Sequence, residues 1–505
     1  MHLNDIYPGT SPKKKVPPFV WPALKVAALF IAVVLISACQ NQPEVRVDGT
    51  SVVSEDYFGN GAQWDPYPEA YGHWNKPLNQ EDWDKLYQRV DMMQPGFIRV
   101  MISAGTHYGG NGTYKPNRNL EGLSKILQYC NENDVRVMFG DWGGNMVDPE
   151  ADTIFKQNLQ LAARYLDFLV HEKGFTCIED YNLVNEPNGK WSSTNGSYSL
   201  WARAVEYFHQ QMKKNDLTDE VGIAAPDIAI WDTKETWWMD SCKTRLGSMI
   251  DLWDIHTYPS KYTVNSGKYS DIIGAYARKR PQDQPIILGE IGFKYIHDKD
   301  SLLRKENLRR AKNKKYASQK DANMFVYDHF YGVDMADALM QVANQGYSGC
   351  VAWMMDDAMH SKESKYKLKV WGFWNILGKE FFGAEKEKIR PWFYAWSLLS
   401  RNMQPGSTIY QTHVEGADRL RSVAVENDGN YMLAVVNADK EARHEVHFQT
   451  KDFPLKKARK YVYQKDQMNI GEDGFLKPAK KGVNVTTGLQ EVIEPESLVV
   501  YTNME

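Results

Sequence analysis

At 505 residues the chain exceeds one average domain and has room for a large α/β barrel with an appended unit. Its 60 basic and 64 acidic side chains leave a formal charge of −4, which excludes the basic footprint of a nucleic-acid binder. Aromatic residues make up 12%, including 16 Trp and 28 Tyr, a supply of flat rings that serves a large core and also suits stacking on sugar faces.

The first element is a leader. Lys13, Lys14, Lys15 and Lys25 precede residues 26–38, thirteen uncharged and mostly apolar positions, too few to cross a bilayer core. The run closes on Ile36-Ser37-Ala38-Cys39, which resembles a bacterial lipobox and implies a mature chain beginning at a lipidated Cys39, anchored in the cell envelope outside the cytoplasm. The alternative, an uncleaved anchor starting near Phe19, is interrupted by Lys25. Cys130, Cys177, Cys242 and Cys350 are spaced for neither a zinc knuckle nor a disulfide-dense scaffold, so buried thiols are expected, with one bridge left open.

Residues 40–52 read as a polar linker. From there to about residue 402, strand-like and helix-like segments alternate. Strands are predicted at 57–59, 97–102, 135–139, 181–184, 221–225, 252–256, 285–288 and 349–353, eight in all. Between them lie amphipathic stretches such as Phe155, Leu159, Ala162, Leu166 and Leu169, or Leu200, Ala204, Val205, Phe208 and Met212, each with one apolar stripe at helical spacing. Short apolar strands without polar alternation, each followed by a helix, are strands buried on both faces inside a helical jacket. The expected fold is a (β/α)8 barrel over 53–402. From 403 to 505 period-two strands follow, with a hairpin turn at Asn427-Asp428-Gly429-Asn430, and an antiparallel β-sandwich packed on the barrel is expected.

Chemistry-bearing residues collect where the barrel strands end. Asn185-Glu186-Pro187-Asn188 follows the fourth strand, and Gly289-Glu290 follows the seventh, 104 residues beyond Glu186. Arg99 lies in the second strand, Asp141 and Trp142 follow the third, His256 and Tyr258 the sixth, and Trp353 ends the eighth. In a closed barrel all these tips open on one face. Asp356 and Asp357, in the loop after the eighth strand, are either cleft residues or solvated loop acids. Trp64, Trp191 and Trp231 are further candidates for sugar platforms.

This constellation resembles the clan A retaining glycoside hydrolases, with families 5 and 39 the nearest comparisons, over about residues 53–402. The resemblance implies that Glu186 is the general acid/base, Glu290 the nucleophile and Asn185 the partner of a sugar 2-hydroxyl. It further implies that Tyr258, in His256-Thr257-Tyr258, orients the nucleophile beside Arg99, and that Trp353 floors the −1 subsite. Family 5 carries a His after the third strand where this chain has Asp141-Trp142-Gly143-Gly144. Double displacement needs two carboxyls about 5–5.5 Å apart, one ionised and one protonated, and no metal or other cofactor. Glu186 is therefore expected to stay protonated near neutrality beside an ionised Glu290. Carbohydrate is the implied partner. A non-catalytic glycan-binding lipoprotein and a transglycosylase using the same site are the competing readings; the β-glycan itself, and internal against terminal cleavage, are open.

Overall fold

The computed structural model describes residues 42–109, 113–357, 359–361, 363–486 and 488–504. The segment read as a leader and lipobox, with Cys39, lies outside the described residues. Among the described residues no helix is long and apolar enough to cross a membrane.

Eight parallel strands form the barrel: Gly59–Ala62, Phe97–Ile102, Arg136–Asp141, Ile178–Asn182, Gly222–Ile230, Leu252–Thr257, Ile286–Ile291 and Gly349–Ala352. Neighbours pair in chain order, and the eighth strand returns to the first through Gly349↔Gly59 to Ala352↔Ala62. The remaining seam closes where Gln63 bridges Arg99, with Trp64 N–H donating to the Arg99 carbonyl at 2.9 Å. The barrel floor is filled by Phe97, Met138, Ala224, Leu252, Ile287 and Val351, one inward side chain from each of six strands. The second amphipathic stretch folds as read, and the first does so except at Phe155. Leu159, Ala162 and Leu166 are buried on the helix Lys156–Asp167, and Leu200, Ala204, Val205, Phe208 and Met212 on Tyr198–Lys214, which Ser197 caps by accepting the Leu200 N–H. Phe155, counted in the first stripe, is 39% exposed.

The second unit is one nine-stranded sheet that curls on itself. Its order is Lys480–Val483, Ala458–Gln464, Ser497–Thr502, Asn430–Asn437, Leu420–Asn427, Ser407–Glu415, Glu44–Tyr57, His444–Lys451 and Gln490–Ile493. Phe448 and Tyr501, on strands far apart in that order, bring their ring centroids to 5.7 Å across the curl. The sheet is mixed because Glu44–Tyr57 runs parallel to His444–Lys451. The stretch read as a linker is thus the start of a strand, and the predicted strand at 57–59 straddles two elements. Polar and apolar residues alternate in Val45-Arg46-Val47-Asp48, and only pairing with residues over 350 positions away turns that alternation into sheet. The turn at Asp428 and Gly429 folds as expected, with φ of 48° and 76° closing a two-residue hairpin.

Alternation in this sheet separates two cores. Ala424, Leu433 and Val435 face the inside of the curl, whereas Val423, Val425, Met432, Ala434 and Val436 join the core shared with the barrel helices. Tyr463 seals that junction: its hydroxyl donates to the His329 carbonyl at 2.8 Å and its ring stacks on His329 at 4.1 Å. Cys130, Cys177, Cys242 and Cys350 are free thiols, all buried.

Candidate active site

Glu186 and Glu290 meet at the carboxyl ends of the fourth and seventh strands, where one oxygen from each lies with a His256 ring nitrogen inside a 4.8 Å cluster. Both side chains are nearly buried, at 7% and 3% exposure. Glu186 sits at φ 48°, a left-handed conformation that turns the chain out of the strand tip. Its backbone N–H donates to Asp227 Oδ2 at 3.1 Å, which fixes that turn. Gly289 is favoured for a different reason: a Cβ there would lie 2.3 Å from Asp254 Oδ2, and the buried aspartate would have to shift. Its N–H donates to Asp254 Oδ1 at 2.7 Å, so the sixth strand sets the position of the residue before Glu290.

Arg99 is the hub. Fully buried, it donates to Glu290 Oε1, to Gln63 Oε1 at 2.8 Å and to Asn185 Oδ1 at 2.8 Å, and it reaches Asp227 at 3.4 Å. Tyr258 donates its hydroxyl to the other oxygen of Glu290 at 2.5 Å. Burial, with Glu290 and Glu186 beside it, raises that hydroxyl well above its ordinary value, so it remains a donor. His256 Nδ1 lies 3.3 Å from Glu186 Oε1, and its Nε2 makes a close charge contact with Asp227 at 2.8 Å that is not aligned as a hydrogen bond.

The protonation pattern differs from the sequence expectation. Burial opposes a charge on His256, but the Asp227 and Glu290 carboxylates outweigh it and raise the imidazole well above its ordinary value. Burial would likewise raise Glu186, yet the hydrogen bond and charge of His256, the Lys294 ammonium and the Trp191 N–H hold it down to about 2. The ligand-free site thus favours the carboxylate form of Glu186 and the imidazolium form of His256, the reverse of a protonated Glu186. Asp254, more deeply buried, is pushed up to about 7. Glu186, His256 and Glu290 are near enough to one another to suit a metal ion, but their oxygens already accept from Arg99, Tyr258 and Trp191.

Aromatic side chains form the walls. Tyr258, Trp353, Met354 and Trp371 make one cluster, with Trp142 and Met359 packed on it. Trp142 meets Trp353 edge-on at 6.3 Å and lies 5.9 Å from the Arg99 guanidinium. Trp191, half-exposed, donates its indole N–H to Glu186 Oε2 at 2.6 Å and meets Trp231 edge-on at 5.7 Å.

Three expectations change. Trp64 is 1% exposed and packed edge-on against Tyr129, so it fills space between barrel and helices and is no sugar platform. Asp141 is buried as well, accepting from Tyr108 at 3.0 Å and from the Gly143 N–H at 2.7 Å; it holds the loop that presents Trp142. Asp356 and Asp357 are neither solvated nor in the cleft. Asp357 pairs with the buried Arg390 and accepts the Trp371 and Gly372 N–H groups at 2.9 Å, while Asp356 accepts from Tyr67 at 3.0 Å and Tyr71 at 2.8 Å. Gln63, Asp227 and Asp254 are site residues that sequence reading missed. The available signal was a lone acid inside an apolar run, as in Ala224-Ala225-Pro226-Asp227-Ile228.

No protein-family model and no curated protein matches the sequence. Solved structures do match its fold. A GH30 endoxylanase from Clostridium papyrosolvens C71 aligns at a TM-score of 0.60 and 11% identity, over 92% of this chain and 100% of that one. An α-L-arabinofuranosidase from Thermotoga maritima aligns at 0.60 and 16%, over 91% and 99%. A GH39 β-xylosidase from Caulobacter crescentus aligns at 0.56 and 12%, again over 91% and 99%. The chain has the barrel-plus-sheet fold of these glycoside hydrolases.

Proposed function

We propose that the protein is a retaining glycoside hydrolase that cleaves β-linked glycosidic bonds of an oligosaccharide or polysaccharide by double displacement. The observation that carries this reading is the approach of the Glu186 and Glu290 carboxylates inside one 4.8 Å cluster at the open end of the barrel, the spacing range of retaining rather than inverting pairs. Glu290 attacks the anomeric carbon, one of its oxygens anchored by Arg99 and the other by Tyr258, which fixes the orientation of the carboxylate toward the sugar. Glu186 protonates the departing oxygen. The proton it needs is stored 3.3 Å away on His256, and a bound sugar that excludes water raises the carboxyl and draws the proton across. Once the glycosyl ester has consumed the charge on Glu290, Glu186 returns to its carboxylate form and takes a proton from the attacking water. Asn185 donates to the sugar 2-hydroxyl, and Trp353 and Trp142 stack on the −1 ring. Trp191, on the outer oxygen of Glu186, belongs to the leaving-group side.

Glu290→Gln and Glu186→Ala are assayed on aryl β-glycosides and polysaccharides. Each is expected to lose at least about a thousandfold in kcat/KM on unactivated substrates, with azide restoring turnover of an activated glycoside in Glu186→Ala. Unchanged turnover in both ends this reading. From the resemblance of Ile36-Ser37-Ala38-Cys39 to a lipobox we further propose that the enzyme is carried on a lipid at Cys39 outside the cytoplasm; Cys39→Ser is expected to abolish labelling by a fatty-acid precursor in cells and to move the protein out of the membrane fraction.

A further inference from the structure

Each oxygen of Glu186 has a donor beside it, and the two donors differ in kind. His256 Nδ1 lies 3.3 Å from Oε1, and the Trp191 indole N–H donates to Oε2 at 2.6 Å. When its proton crosses to Glu186, the imidazole nitrogen becomes an acceptor for the new O–H, so that contact survives the change of form. An indole N–H only donates. Burial raises Glu186, while His256, Lys294 and Trp191 hold it down; of these three, the His256 ring is fully buried and Trp191 is 51% exposed. The indole has a seat. A Cβ at Gly189 would lie 2.3 Å from Trp191 Cε2, and Gly189 is outside the left-handed region, so it is the indole and not the backbone that calls for glycine there. The loop beneath is pinned: Asn188 exchanges hydrogen bonds of 2.8 and 3.0 Å with Ala229 of the fifth strand, Ser192 Oγ donates to the Asn185 carbonyl at 3.1 Å and Thr194 Oγ1 to the Pro187 carbonyl at 2.5 Å. Freedom is left to the Trp191 side chain, which meets the 39% exposed Trp231 edge-on.

Double displacement asks Glu186 for opposite forms in its two halves. A hydrogen bond donated to a carboxylate favours the charged form. In its seat, Trp191 therefore works against the first half, when Glu186 must be the acid, and for the second, when it must be the base. The leaving-group side of the cleft is filled in the first half and vacated before the second, and Trp191 stands on that side. A sugar there competes for the space beside Oε2, brings its glycosidic oxygen to the carboxyl in place of the indole N–H, and offers the displaced ring a face to lie against. A small alkyl aglycone does not reach so far.

Resting on the retaining mechanism above, we propose that Trp191 is a positioning residue operated by the leaving group: a sugar on that side moves the indole off Glu186 and arms the acid, its departure lets the indole return and restores the base, and the bonds cleaved efficiently are those whose leaving group is itself a sugar. The test reads kcat against pH, which reports groups in the enzyme–substrate complex, on a methyl β-glycoside and a β-linked oligosaccharide that share the −1 sugar selected by the aryl β-glycoside assay. Trp191→Phe keeps a ring and removes the N–H; Gly189→Ala keeps the indole and fills its seat. Thermal melts establish that both variants are folded. In the wild type the alkaline limb is expected to lie at least about one pH unit higher on the oligosaccharide than on the methyl glycoside. Each variant is expected to raise the methyl-glycoside limb to the oligosaccharide's level and leave the oligosaccharide limb in place, so that kcat on the methyl glycoside at alkaline pH rises about tenfold. Limbs that coincide in the wild type, a methyl-glycoside limb that stays put in Trp191→Phe, or limbs that move together on both substrates overturn the switch. Glu290→Gln in the same assay separates the two readings: if it is inactive, the retaining mechanism stands even where the switch falls, and turnover that survives it ends the mechanism and the switch together.

Discussion

Replacing Asp227 by asparagine changes one charge and almost no volume at the point where three strands of the site converge. The carboxylate is 1% exposed, 2.8 Å from His256 Nε2, 3.4 Å from Arg99, and the acceptor of the Glu186 N–H at 3.1 Å. Arg99 keeps Glu290 as its counter-charge, and an asparagine oxygen can still accept the Glu186 N–H, so the loss falls mainly on His256. Removing one partner of a buried charged pair costs about 3–5 kcal/mol, and the surviving contacts put this case at the lower end, about 3 kcal/mol. His256 then holds its proton less firmly, and Glu186, held down to about 2 chiefly by that ring against its burial, rises. The acid form of Glu186 thus persists to higher pH. The alkaline limb of kcat/KM on a poor leaving group is expected to move up by at least about one pH unit, each unit being worth 1.36 kcal/mol, while a dinitrophenyl glycoside that needs no protonation keeps its limb. The assay is a paired pH–rate profile of wild type and Asp227→Asn on the two leaving groups, with a thermal melt for stability. An alkaline limb that stays put, or moves to lower pH, refutes the reasoning that Asp227 controls Glu186 through His256.

Two further outcomes follow from the buried polar residues behind the site. Asp356 is pushed up to about 7 by burial, with Asp357 adding to it. The folded state therefore binds a proton that the unfolded chain releases near 3.8, and this group makes stability fall as pH rises from about 4 to about 7. Asp356→Asn has no such slope, so its stability relative to wild type is expected to improve across that window in melts at stepped pH. Arg390, 2% exposed, is the cation for the fully buried Asp357, and Arg390→Met strands that charge at a cost of about 3–5 kcal/mol, lowering the melting temperature and loosening the Trp371 loop that Asp357 ties down. An unchanged melt would show that the two backbone N–H groups suffice for Asp357.

Much of the site is legible in the sequence because barrel strands announce themselves. An apolar run such as residues 285–288 cannot continue into solvent, so the Gly289-Glu290 that ends it lies at a tip, and the same holds for Asn185-Glu186 after residues 181–184. Once both tips are assigned to one parallel sheet, their convergence follows from topology. Arg99, His256, Tyr258 and Trp353 are placed by the same logic. Trp64 shows the limit: it also follows a barrel strand, but which way its ring turns depends on the helix carrying Tyr129, which no local pattern encodes.

The sequence by itself determined which residues could do the chemistry and that their strands share a barrel, since periodicity and apolar runs are local properties of the chain. Only the tertiary structure decided how those residues are charged. Glu186 is held below its ordinary range because His256 of the sixth strand sits between it and Asp227 of the fifth, and because Lys294 and Trp191 arrive from two loops. The strand Glu44–Tyr57 likewise exists only through partners beyond residue 400. Electrostatic fields and sheet pairing act through space, between groups that the chain brings together only when it is folded.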